Sequence, residues 1–167
     1  MISYQFKIYK KHELNALMLN ICKENKLNLT FLKKNEGLGG YNYAYCGGNE
    51  IMLAPFVGKN SLEKKLISFF HEFSHLKLNQ FIPGKIKGYS INHTSAMQYE
   101  LWVTMLGLNY AKEKYDILFS DESVTWLLKQ NFTYKNHDGG EELSILESNK
   151  NEYILKYFHI NINNIKF

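Results

Sequence analysis

The chain has 167 residues, a formal charge of +4 and a composition that is 45% hydrophobic, 15% aromatic and 22% charged. This fits one folded globular domain rather than a disordered chain, and residues 1–167 are expected to form a single domain. Every basic residue is lysine and the lysines are scattered; without guanidinium forks for phosphate or guanine edges, direct nucleic-acid recognition is not expected.

No apolar run reaches the roughly 18 residues that cross a bilayer. The start Met1-Ile2-Ser3-Tyr4-Gln5 lacks the basic-then-apolar order of an export signal, so a cytoplasmic location is the expectation, with no membrane partner. The two cysteines, Cys22 and Cys46, belong to no CxxC or Cys/His cluster and read as buried thiols.

From about His12 to Lys26, Leu14, Leu17, Met18 and Ile21 recur at helical spacing and predict an opening amphipathic helix. Asn28 to Leu32 reads as a short extended piece. Tyr41 to Tyr45 alternates like a strand, Gly47-Gly48-Asn49 can turn it, and Glu50 to Ala54 returns, a predicted hairpin that Pro55 and Gly58 end. The returning strand, Ile51 to Ala54, is expected to offer an edge for an extended peptide. Tyr41, Tyr43 and Tyr45 either line a wall of that groove or pack on the sheet.

Ser61 is the expected N-cap of a helix from Leu62 to about Leu78, with Glu63 in its first turn. Apolar residues cover most of its circumference, which predicts a largely buried helix. Pro83-Gly84 marks a turn. A second long helix is expected from Thr94 or Ser95, where Ser95 and Gln98 have capping-box spacing, to about Lys114. Shorter helices are predicted near Glu122 to Lys129 and Glu152 to Phe158, with a loop at Asp138 to Glu142. The expected class is α+β, mostly helical, with a small mixed or antiparallel sheet.

Inside the buried helix lies His71-Glu72-Phe73-Ser74-His75. Residues four apart share a helix face, so both imidazoles can reach one zinc ion, with Glu72 beside them. Such a pentapeptide also arises by chance, the histidines then making hydrogen bonds. In so apolar a helix, however, two imidazoles and a carboxylate without a shared task would be costly.

A catalytic zinc needs a third protein ligand and an open position. Glu100, early on the next long helix, is the first candidate; His93 is the rival, and Glu63 and Asp116 are other carboxylates to weigh. At three- and four-residue steps from Glu100 come Val103 or Thr104, then Gly107 and Ala111, a small-residue stripe that would let that helix approach the His71 helix closely. Glu72 would accept a proton from a zinc-activated water attacking a carbonyl and pass it to the leaving amine. Tyr89 and His93 are candidate donors to a developing oxyanion, each with a plain surface or helix-start role as its alternative.

With these elements in order, the chain resembles the ImmA/IrrE family of zinc metallopeptidases. The resemblance spans about residues 12–130. It rests on the early helix with Leu14, Leu17 and Ile21, on Gly39-Gly40-Tyr41, on Ile51-Met52-Leu53, and on Leu66 through Leu76 around the HExxH pentapeptide. The family's glutamate maps to Glu100 in Tyr99-Glu100-Leu101-Trp102. Departures are Ser74 where the family usually has glycine, and Val103, Met105 and Leu106 in a region the family fills with alanines and closes with proline.

The resemblance implies an intracellular zinc metalloendopeptidase encoded by a bacterium, phage or mobile element, with His71, His75 and Glu100 on Zn2+ and Glu72 as general base. Its protein partner would be a substrate or regulator such as a helix-turn-helix repressor that binds DNA, rather than DNA itself. Two other readings remain: a catalytically weak, metal-containing module that binds a regulator without cleaving it, and a basic nucleic-acid-binding protein with an accidental HExxH.

Overall fold

In the computed structural model the residues described are 10–34, 44–81 and 93–131, with the side chains of 78–81, 93–102 and 128–131 left out of that description. The predicted helix near Glu152, the loop at Asp138, the Pro83-Gly84 turn, and Tyr41, Tyr43 and Tyr89 fall outside it.

The elements run α1 (Lys11–Glu24), β1 (Asn28–Phe31), β2 (Ala44–Gly47), β3 (Glu50–Leu53), α2 (Ser61–Phe81), α3 (His93–Tyr115) and α4 (Asp121–Asn131). Among the described residues the architecture is therefore α+β, four helices and a small mixed sheet.

α1 buries Leu14, Met18, Ile21 and Cys22 on one face, the stripe its spacing predicts. It stops where Lys26 turns left-handed at φ 56°, letting Leu27 N–H donate to the Cys22 carbonyl at 2.8 Å, a Schellman closure that feeds directly into β1. Burial pushes the Cys22 thiol up to about 11, and neither cysteine forms a disulfide.

The hairpin forms with a tighter turn than Gly47-Gly48-Asn49 suggests. Gly47 pairs with Glu50 as the last ladder position, and Gly48 alone adopts φ 59°, the positive value a two-residue turn requires.

The sheet order is β1-β3-β2, with β3 parallel to β1 and antiparallel to β2. This corrects one expectation. Ile51 to Leu53 is the interior strand, hydrogen-bonded on both sides, so no peptide can add to it. Parallel pairing with β1, which links residues 22 apart in register (Leu29 opposite Ile51), is a long-range contact that local alternation does not encode.

α2 is the central element and packs on α1, α3, α4, β2 and β3. It begins at Ser61 rather than after it, because the Asn60 carbonyl already accepts Lys64 N–H at 2.9 Å. Phe69, Phe70 and Phe73 are fully buried, each contributing about 2–3 kcal/mol of apolar burial. They nucleate an aromatic cluster: Phe70 lies 5.4 Å from Phe69, 6.2 Å from Tyr110 and 6.2 Å from Phe119 between ring centroids, and Phe73 lies 5.1 Å from Tyr110.

α3 begins slightly earlier than Ser95 suggests, at His93, and ends where Asp116 turns left-handed at φ 53°. α4 is capped by Ser120, whose Oγ accepts Ser123 N–H at 3.3 Å while the buried Glu63 carboxylate accepts Ser120 N–H at 2.6 Å. Glu63 thus ties the start of α2 to the start of α4.

The α2–α3 contact depends on Gly107. A Cβ there would stand 2.7 Å from the Phe70 carbonyl oxygen and 3.0 Å from Ser74 Oγ, so any side chain forces the helices apart. Gly107→Ala is expected to destabilise the protein by about 1–3 kcal/mol through overpacking, read as a lowered denaturant midpoint at unchanged m-value; an unchanged midpoint would contradict the close approach.

Candidate metal centre

The HExxH pentapeptide lies within the second half of α2, as its spacing predicts. His71 is buried, while Glu72 and His75 are half-buried, so the buried end of the motif opens toward solvent within one helical turn. The two imidazoles stand 4.8 Å apart between centroids with their planes at 84°. Their Nε2 atoms face each other at 3.1 Å.

That separation has two chemical meanings. With one ring protonated at Nε2 it is a hydrogen bond from one imidazole to the other. It is also close to the spacing of two ligands on one tetrahedral zinc, since nitrogens about 2.05 Å from the ion stand roughly 3.3 Å apart. The pair thus fits a shared cation with a shift of a few tenths of an ångström.

The far side of His71 is held as well. Its Nδ1 lies 2.9 Å from Thr104 Oγ1, and Thr104 is 1% exposed. If Nδ1 carries the proton it donates to the threonine oxygen, leaving the Nε2 lone pair facing His75. Such an outer hydrogen bond fixes both tautomer and ring orientation for metal binding. Thr104 reaches His71 because Gly107, three residues on along α3, lets the two backbones touch. Of the stripe expected from Val103 or Thr104, Gly107 and Ala111, Thr104 and Gly107 meet α2, and Thr104 has a role beyond size that its place in the stripe only partly signals.

Ser74, which stands where glycine was expected by resemblance, is fully buried and donates its hydroxyl to the Phe70 carbonyl at 2.8 Å. Its extra atoms are accommodated by the missing side chain at Gly107.

Among the described residues no three His, Cys, Asp or Glu side chains converge as a metal cluster. No third such side chain joins His71 and His75 among the described residues. Glu63 is excluded: it precedes His71 by eight residues, roughly 12 Å along the helix axis, and its carboxylate is engaged at Ser120. Asp116 is excluded too, being exposed and twelve residues beyond Thr104, roughly 18 Å by the same helical rise.

Glu100 and His93 both belong to α3, with side chains outside the description. Glu100 stands one turn before Thr104 in register and His93 three turns before it. Tyr45, the described member of the tyrosine trio, lies along its own strand over Gly47. No helix among the described residues is long and apolar enough to cross a membrane.

No family model, curated protein or solved structure matches the chain.

Thr104→Val keeps the volume but removes the oxygen beside a buried imidazole. In metal-free protein this substitution is expected to cost about 1–3 kcal/mol of unfolding free energy, with Thr104→Ser retaining most of it. Urea denaturation compares the three proteins, and equal stability of the valine variant would mean that the contact is idle.

Proposed function

We propose that the chain is a zinc-dependent peptidase of ImmA/IrrE type that cleaves a specific protein. The observation that carries this reading is the facing of the His71 and His75 Nε2 atoms at 3.1 Å, with the rear nitrogen of His71 held on Thr104. His71 and His75 would hold the ion. Glu100 is favoured as third ligand over His93 because residues four apart share a helix face, and Glu100 is four before the threonine that touches His71.

Bound there, zinc would acidify a water and polarise the substrate carbonyl. Glu72 supplies the proton chemistry: its carboxylate takes the proton of the attacking water and returns it to the departing amine as the peptide bond breaks. Thr104 keeps the His71 ring from rotating. The sheet and the aromatic cluster hold α2 rigid, so the base and the imidazoles keep their mutual spacing through turnover.

The partner fitting the family role is a helix-turn-helix repressor in the cytoplasm, contacted as protein. Loss of a repressor by cleavage would release transcription without any DNA contact by this chain. A metal-containing binding module differs in one respect only, in that output would persist without Glu72.

Calorimetric titration is expected to give one zinc per chain, lost in His71→Ala and His75→Ala and strongly weakened in Glu100→Ala. Glu72→Gln should keep the zinc yet slow cleavage of a candidate repressor by at least about 100-fold, followed by intact-mass spectrometry. Equal cleavage by the glutamine variant would remove the proposed base. Zinc binding with no cleavage of any repressor by the wild type would favour the binding module.

A further inference from the structure

Four residues of α2 fall on one face at steps of three, four and seven: Ser68, His71, Glu72 and His75. At roughly 100° per residue, Ser68 lies about 60° from His71, 40° from Glu72 and 20° from His75 around the axis, between the groups of the site and one turn before them. Side chains on a helix lean toward its N-terminus. A Glu72 side chain that follows this lean reaches back toward the turn that carries Ser68.

Ser68 is 3% exposed, and its Oγ has no hydrogen-bond partner among the described residues. The other buried serine of the motif region behaves differently. Ser74 returns its proton to the carbonyl four residues earlier, at 2.8 Å, the usual resolution for a serine inside a helix. Ser68 makes no such bond to Lys64. The amine of Lys65, the nearest cation in the sequence, is engaged with Asn15 Oδ1 at 3.0 Å and sits over the Phe31 ring. A buried hydroxyl without a partner is unfavourable unless some state of the protein supplies one.

We propose that Ser68 is a positioning residue for Glu72: when the site is loaded and the carboxylate swings inward, the Ser68 hydroxyl donates to one carboxylate oxygen and leaves the other facing the attacking water. This rests on the peptidase reading above. The bond requires only a rotamer change at Ser68 and Glu72, both on one rigid helix. It spans four residues, a spacing at which helical side chains meet. Ser68 touches neither substrate nor metal and acts only through the orientation of the base.

The test compares Ser68→Ala and Ser68→Thr with the wild type by three measurements. Thermal unfolding of metal-free Ser68→Ala is expected to match or exceed the wild type, because no internal hydrogen bond is lost. Zinc affinity should be unchanged. On a cleaved protein substrate, kcat of Ser68→Ala should fall about 10-fold with KM unchanged, the size of effect typical of groups that orient a site, and Ser68→Thr should restore most of it.

A melting temperature lowered by more than about 4 °C, equivalent to about 1 kcal/mol or more in a chain of this size, would show that the hydroxyl already has a structural partner and would overturn the proposal. So would an unchanged kcat, or a loss that tracks zinc affinity. If wild-type protein binds zinc and cleaves nothing, the peptidase reading fails and this role falls with it; unchanged kcat in an active enzyme overturns the Ser68 role alone.

Discussion

The structure depends on the approach of two helix backbones at Gly107. There the α3 chain lies against the Phe70 carbonyl of α2, closer than any side chain would permit. One turn away in each direction the consequences differ. Toward Tyr110 the close approach brings aromatic rings together around Phe70 and Phe73. Toward Thr104 it brings a hydroxyl to a buried imidazole. A single missing Cβ thus couples the hydrophobic core to the candidate chemistry, and Ser74 occupies space on the opposite helix that Gly107 concedes.

α2 carries an unusual load for a buried helix: two histidines, two glutamates, two lysines and two serines within Glu63 to His75. Most of these polar groups have assigned partners. Glu63 accepts from the α4 cap, Ser74 bonds its own helix, and His71 bonds Thr104. Lys65 reaches Asn15 and the Phe31 ring, and burial first, then the nearby Lys11 charge, lowers its pKa below the usual lysine range. Against that background, Ser68 stands out by having none among the described residues, and the imidazole pair by having its two Nε2 atoms turned on each other. Polar groups concentrated on one apolar helix are costly to bury, and the proposed cation with its neighbouring base would give four of them, Ser68, His71, Glu72 and His75, one common purpose.

Much of this was legible in the sequence because it is local. Periodicity located α1, α2 and α3 to within a few residues, Gly47-Gly48-Asn49 marked the hairpin one residue too wide, and the four-residue step between His71 and His75 predicted their shared face. The stripe of small residues after Glu100 anticipated the helix contact. Non-local features were not legible. The parallel pairing of β1 with β3 turns the expected edge strand into the interior one, and only the folded chain reveals it. Thr104 looked like a packing residue because nothing in a sequence tells which threonine of a seam will meet a ring nitrogen. Glu63 and Asp116 were reasonable third ligands by residue type alone, and lie too far from the histidines once the helical rise is counted.

The central claim is that the two imidazoles are turned together in order to share an ion. Crystals grown with zinc and measured at its absorption edge test this directly. The account predicts an anomalous peak about 2.0–2.1 Å from Nε2 of both His71 and His75, with a Glu100 carboxylate oxygen as the third protein ligand and Thr104 still on Nδ1 of His71. A map without a peak between the rings, the two Nε2 atoms remaining in direct hydrogen-bond contact, would contradict it.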